Sequence, residues 1–98
     1  MENMEFKYPE ATRPITGRAH VGVVASGDME VLIEPSQAAG ASVSITTSVQ
    51  GFQGTWQAVF DRFFSRYDGA VRIVINDSGA TPGSVMLRLQ QAAEVLGK

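Results

Sequence analysis

The sequence predicts an α+β fold. A two-layer sandwich is expected, in which a mostly antiparallel four-stranded sheet carries two helices on one face, in the order β-β-β-α-β-α. Three observations predict it. Residues 41–49 alternate apolar and polar side chains with a period of two, the mark of a strand buried on one side. Residues 56–67 place large apolar side chains at i, i+3, i+4, i+7, i+8 and i+11, one stripe of a helix. Two apolar runs, 18–25 and 29–34, flank a short polar break, Ser26-Gly27-Asp28, the pattern of an antiparallel hairpin.

With 98 residues the chain is expected to form one domain, 1–98. A domain of that size buries about 65% of the surface its unfolded chain exposes, enough for one two-layer core. Residues 1–16 carry Pro9 and Pro14 and little periodicity. They are expected to be weakly structured or to form an edge strand anchored by Phe6 and Tyr8. The first hairpin strand, 18–25, contributes Val21, Val23 and Val24; the second, 29–34, stops at Pro35, which has no N–H to give a ladder. In residues 41–49, Val43, Ile45 and Val49 face the core, and Ser42, Ser44, Thr46 and Ser48 face water. A sheet with one open face follows.

The helix after it carries Trp56, Val59, Phe60, Phe63, Phe64 and Tyr67 on one side and Gln57, Asp61, Arg62, Ser65 and Arg66 on the other. Thr55 is its expected N-cap, and Gly69, at positive φ, its expected stop. Val71, Ile73 and Ile75 alternate as the fourth strand. Thr81-Pro82 couples a cap to a first-turn proline. Met86, Leu89, Ala93 and Leu96 then form the stripe of the second helix, closed by Gly97.

Composition excludes several functions. The chain has 8 basic and 10 acidic side chains, a net charge of −2 and no basic cluster, so it lacks the electrostatic footprint of a nucleic-acid binder. No apolar run approaches the ~20 residues that cross a bilayer. The opening Met-Glu-Asn-Met-Glu is acidic and unlike a secretory leader, so the expected compartment is the cytoplasm. Without cysteine there is no thiol nucleophile, thiolate metal site or disulfide framework. His20 is the one histidine, too few for a His-rich metal site, and no metal is expected.

The chemistry then centres on Ser26. A serine at the tip of a hairpin is held out in water on a stiff base, which suits a hydroxyl that is to be modified. Gly27 has no Cβ and leaves room for a modifying enzyme. The plainer reading of the triplet is a β-turn, since Ser, Gly and Asp form turns for reasons of their own backbones. Asp28 either caps the turn or meets a metal ion or basic group on an approaching enzyme.

These residues carry a family resemblance. The segment Gly22-Val23-Val24-Ala25-Ser26-Gly27-Asp28-Met29-Glu30-Val31 resembles the modification-site segment of the acyl-carrier subunits of malonate decarboxylase and citrate lyase. Thr47-Ser48-Val49, the helix ending Phe64-Ser65-Arg66-Tyr67, the strand Val71-Arg72-Ile73-Val74-Ile75-Asn76-Asp77 and Met86-Leu87-Arg88-Leu89 are similar to the same family. The resemblance runs from about Gly17 to Leu96. The lead-in Phe6-Lys7-Tyr8-Pro9 and the stretch from Gly51 to Trp56 resemble the malonate decarboxylase branch, whose δ subunit is the carrier.

That resemblance implies a non-catalytic carrier. Ser26 would bear a phosphoribosyl-dephospho-coenzyme A arm through a phosphodiester, with Gly27 and Asp28 beside the attachment. The arm's thiol would take acetyl and malonyl between an acyltransferase and a decarboxylase subunit. A holo-carrier synthase, the phosphoribosyl-dephospho-CoA transferase, would install the arm. Other readings of the same residues are a citrate lyase-type carrier, a small metabolite-binding regulatory domain and a hydrolase using Ser26. The last lacks a Gly-x-Ser-x-Gly elbow and a nearby base, because His20 lies six residues upstream in a strand. Asp77-Ser78-Gly79 is read as a strand-to-helix turn, not as the Asp-Ser-Leu attachment triplet of helical carriers. Arg18, Arg72 and Arg88 are read as solvated or salt-bridged, with phosphate steering as the alternative.

Overall fold

The computed structural model describes residues 2–15, 17, 19–21, 29–37, 40–48, 51–77, 79 and 82–95. Seven elements follow in order: β1 (Glu2–Tyr8), β2 (Ala19–Val21), β3 (Met29–Pro35), β4 (Ala41–Thr47), α1 (Gln53–Phe64), β5 (Val71–Asp77) and α2 (Pro82–Val95). The expected Thr81 cap, Val49, Ala93, Leu96 and Gly97 lie outside the residues or side chains described, as do Arg18 and the Arg88 side chain.

The sheet has five strands in the order β1-β4-β5-β3-β2. The expected count of four is corrected by the N-terminal segment, which takes its edge-strand form and pairs antiparallel with β4 from Glu2↔Thr47 to Tyr8↔Ala41. β2–β3 and β3–β5 are antiparallel too, whereas β4–β5 is parallel, so the sheet is mixed. The parallel pair has a simple origin. A strand can return parallel to its predecessor only through a crossover of about a dozen residues or more, and α1 occupies that connection.

The alternation read from sequence holds in the strands. Val31, Ile33, Val43, Ile45, Val71, Ile73 and Ile75 are buried on one face, and Trp56, Val59, Phe60 and Phe63 of α1 and Val85 and Leu89 of α2 close over them in one core. Both helices therefore cover the same face. The other face is mostly polar, with Leu32 opposite Val74 near its middle, and its polar pairs reach across strands. Thr46 Oγ1 donates to Asn3 Oδ1 (2.9 Å), Asn76 Nδ2 donates to Glu30 Oε1 (3.1 Å), and Arg72 faces Glu34 at 4.0 Å.

Several boundaries differ from expectation. α1 opens at Gln53, so Thr55 lies within its first turn, and Phe52 is an N-cap with no side-chain hydrogen bond. The first helical bond runs from the Trp56 N–H to the Phe52 carbonyl at 3.0 Å. The helix ends at Phe64, where the Ser65 hydroxyl donates back to the Arg62 carbonyl at 2.6 Å. Tyr67, counted on the helical stripe, lies beyond that end and is still buried. Gly69 is not among the positive-φ glycines. Its role is steric: a Cβ there would stand 2.7 Å from the ring edge and hydroxyl of Tyr67. In α2, Val85 joins Leu89 in the core, with Met86 only partly buried at its flank.

The edge strand is fastened to α1 by aromatic contacts. The Tyr8 ring stacks on Phe64 with centroids 4.3 Å apart, and its hydroxyl donates to Asp61 Oδ1 at 2.8 Å. Burial, reinforced by the Asp61 carboxylate that accepts the bond, pushes the Tyr8 phenol well above its ordinary range. The unfolded chain ionises first, near pH ~10. The stability from this phenol is therefore complete below that pH and is lost as pH rises through the folded value. Urea unfolding followed against pH is expected to show stability falling on the alkaline side, and Tyr8→Phe is expected to remove part of that fall. Gly40 has φ 84°, and a Cβ there would lie 2.7 Å from Pro9 Cα. Gly40→Ala is expected to cost roughly 2–4 kcal/mol by the same unfolding measurement.

Candidate functional site

One end of the sheet gathers the groups of interest. β4 and β5 run parallel, so their carboxyl ends, Thr47 and Asp77, are neighbours. Both helices follow these ends in the chain and so begin on that side of the molecule. β3 runs the other way, which puts its first residue, Met29, opposite Asp77, and Glu2 of β1 opposite Thr47. The inner-face row described across this end is Glu2, Thr47 and Asp77.

The row is polar where the rest of that face is apolar. Thr47 is fully buried and Asp77 is 5% exposed. Burying a carboxylate is costly unless its oxygens find donors. Here the Thr47 hydroxyl donates to Asp77 Oδ2 at 2.8 Å, and the Gly79 N–H donates to the same oxygen at 3.1 Å. The Ser48 N–H donates to the Asp77 carbonyl at 3.1 Å. Asp77 thus fastens the end of β5 to the end of β4 and shapes the turn toward α2. The reading of Asp77-Ser78-Gly79 as a strand-to-helix turn holds for its described ends, Asp77 and Gly79. Sequence reasoning missed Thr47 as its partner. The signal was there, because Thr47 shares its parity with Val43 and Ile45 on the inner face.

β3 begins at this end, at Met29. β2 and β3 pair antiparallel through Ala19↔Ile33, His20↔Leu32 and Val21↔Val31. Seven residues join Val21 to Met29, and Ser26, Gly27 and Asp28 among them lie outside the described residues. Position 26 is midway in sequence between the facing residues Val21 and Val31. His20 sits in β2 opposite Leu32. Among the described residues no three His, Cys, Asp or Glu side chains are grouped to hold a metal ion, and no helix is long and apolar enough to cross a membrane.

The far end of the sheet has a different character. Arg13 Nε contacts Asp68 Oδ1 at 2.6 Å, and its guanidinium lies 5.4 Å from the centre of the Tyr67 ring. The backbones of Arg13 and Gly69 form a bridge just before β5 begins. Arg13 holds the Asp68 carboxyl below its ordinary value through that hydrogen bond. Burial raises the Tyr67 phenol, and the adjacent Arg13 charge opposes the rise.

Comparison with known proteins bears on this arrangement. The family model described as malonate decarboxylase delta subunit (MdcD) matches residues 16–96. The chain is 47% identical over 98 residues to the malonate decarboxylase acyl carrier protein of Stutzerimonas stutzeri, covering 99% of this chain and 98% of that one. It is 48% identical, with the same coverage, to the malonate decarboxylase acyl carrier protein of Pseudomonas syringae pv. tomato. Its fold matches a chain in the crystal structure of a Pseudomonas malonate decarboxylase hetero-tetramer in complex with malonate. That match has a TM-score of 0.89 and 48% identity, and covers 99% of this chain and 100% of the other. The chain belongs to the malonate decarboxylase delta-subunit family. Of the two branches that the sequence resembles, this is the malonate one.

Thr47→Val keeps the side-chain shape and removes one of the two donors described on Asp77 Oδ2. It is expected to destabilise the fold by about 1.5–3 kcal/mol, the range for a buried hydrogen bond to a charged group. Hydrogen exchange at the Gly79 amide is expected to quicken in the same variant.

Proposed function

We propose that this chain is the acyl carrier subunit of a biotin-independent malonate decarboxylase, with Ser26 as the attachment residue. Ser26 Oγ would attack the phosphoryl group of an activated donor of the arm, lose its proton and displace the donor's leaving group, becoming the ester oxygen that joins the chain to a phosphoribosyl-dephospho-coenzyme A arm. The bound arm supplies a thiol that carries acetyl and malonyl groups as thioesters between an acyltransferase and a decarboxylase subunit. This chain contributes no bond-breaking group of its own.

The observation that carries this reading is the register of β2 and β3. Facing residues Val21 and Val31 bracket position 26 symmetrically, so the connection bearing Ser26 is anchored at both feet in one ladder. Its second foot, Met29, pairs with Asp77, whose carboxylate is locked by Thr47 and Gly79. Asn76 and Glu30, one pair further along, are hydrogen-bonded on the outer face. The stem is thus braced on both faces of the sheet.

Electrostatics favour the same end. Both helices start there, and the partial positive charge of a helix N-terminus stabilises a nearby anion such as a phosphodiester. Asp28 is of the wrong sign to hold the arm, so we assign it to the turn or to contact with the holo-carrier synthase. Tethering would raise the acyl group's effective concentration at a partner site to about millimolar. The absence of cysteine leaves no protein thiol to compete for the acyl group. We place this chemistry in the cytoplasm, as one carrier domain.

Intact-mass analysis tests the proposal. Co-expressed with its modifying enzymes, the protein is expected to gain the mass of the arm on the peptide containing Ser26. Ser26→Ala is expected to fold with unchanged circular dichroism, to take up no adduct and to leave the assembled complex without malonate decarboxylation. Turnover by that variant, or an adduct on another residue, overturns the assignment.

A further inference from the structure

The end of the molecule opposite the Ser26 connection holds a cleft of about 620 Å³ between the C-terminal part of α1 and the exposed side of α2. Arg13, Arg62 and Arg66 rim it over a floor of Phe63, Tyr67 and Met86. Three of the chain's 8 basic side chains thus converge on one cleft of a protein whose net charge is −2. Arg13 is engaged by Asp68. Arg62 and Arg66 are exposed, and among the described residues neither forms an ion pair. Glu94 is the one acid among the described lining residues.

We propose that this cleft is the docking surface for an acidic surface segment of a partner subunit, which holds the carrier by the end remote from Ser26. The inference rests on the carrier reading for its partner. Three features favour a protein surface over a small anion. Arg62 and Arg66 are exposed and stand on long side chains, unlike a cradle of backbone N–H groups. The floor is aromatic and thioether, and Arg, Tyr, Phe and Met are the residues enriched where proteins meet. The guanidiniums of Arg62 and Arg66, which form no ion pair among the described residues, are complementary to an acidic patch, which they would steer into register.

The position has a mechanical consequence. The cleft lies beyond the Val71 end of β5, next to the Arg13–Gly69 bridge, while the Ser26 connection joins at the Asp77 end. The seven residues of β5 separate these ends by roughly 20 Å at about 3.3 Å per residue. A subunit bound at the cleft would leave the modified end free, so the arm could reach two active sites while the carrier stays docked.

The test uses the full chain and the remaining subunits of the complex purified together without it. Binding is followed by titration calorimetry at low and high salt. Arg62→Glu with Arg66→Glu is expected to weaken binding by about tenfold or more at low salt. The gap to wild type is expected to shrink as salt rises. Arg62→Lys with Arg66→Lys, which keeps the charge, is expected to bind nearly as wild type. All forms are expected to keep their circular dichroism and to accept the arm on Ser26 equally. Binding of the charge-reversed chain at wild-type strength overturns the proposal, as does a wild-type chain that does not bind. So does saturable binding of free coenzyme A, or self-association, that the reversal abolishes while subunit binding persists. A missing Ser26 adduct, by contrast, removes the carrier reading and leaves the binding comparison intact.

Discussion

The parallel pairing of β4 with β5 is the constraint on which the rest depends. It obliges α1 to cross over one face, and it sends the carboxyl ends of both strands to the same side of the molecule. α2 follows from one of those ends and comes to rest on the same face. β5 thereby becomes the middle strand, with β4 on one side and β3 on the other. Its Val71, Ile73 and Ile75 are wholly buried, as a strand covered by helices on its inner face and flanked on both edges must be.

That arrangement divides the molecule into two ends with different chemistry. At the end where the helices begin, the apolar face gives way to Thr47 and Asp77, a buried pair kept in place by hydrogen bonds. The segment carrying Ser26 joins the sheet beside them, at Met29. At the other end, Arg13 ties the N-terminal segment to the turn after α1 through Asp68 and Tyr67, and Arg62 and Arg66 line the cleft beside it. On the carrier reading proposed above, the first end would present the tether and the second would be the one by which the chain is held.

The aromatic stripe of α1 does more than fill the core. Phe60 lies near Phe6 and Trp56, and Phe64 stacks on Tyr8, so one helix face gathers the edge strand as well as the centre of the sheet. The tie also explains how a strand with three charged side chains, Glu2, Glu5 and Lys7, is held at the edge. Its inner residues, Met4, Phe6 and Tyr8, reach the core, and its charged outer ones, Glu5 and Lys7, discourage pairing with another chain.

Much of this was legible in the sequence. The period-two alternation of residues 41–47 and 71–77 and the helical spacing from Trp56 to Phe63 fix the buried face of each element, because side-chain direction is a local consequence of backbone geometry. The antiparallel pairing of β2 with β3 was equally readable, since a polar break between two apolar runs needs only neighbouring residues to declare it. What only the tertiary structure decided is which elements meet. The strand status of the N-terminal segment depends on a β4 edge about forty residues away, and the partnership of Thr47 with Asp77 spans 30 residues. Gly69 is needed because a folded-back Tyr67 ring covers it, not because its own dihedrals demand glycine. Arg62 and Arg66 look like the solvated side of a helix until α2 packs alongside and turns them into the rim of a cleft. Local periodicity is written in consecutive residues, whereas contacts between distant ones exist only once the core has closed.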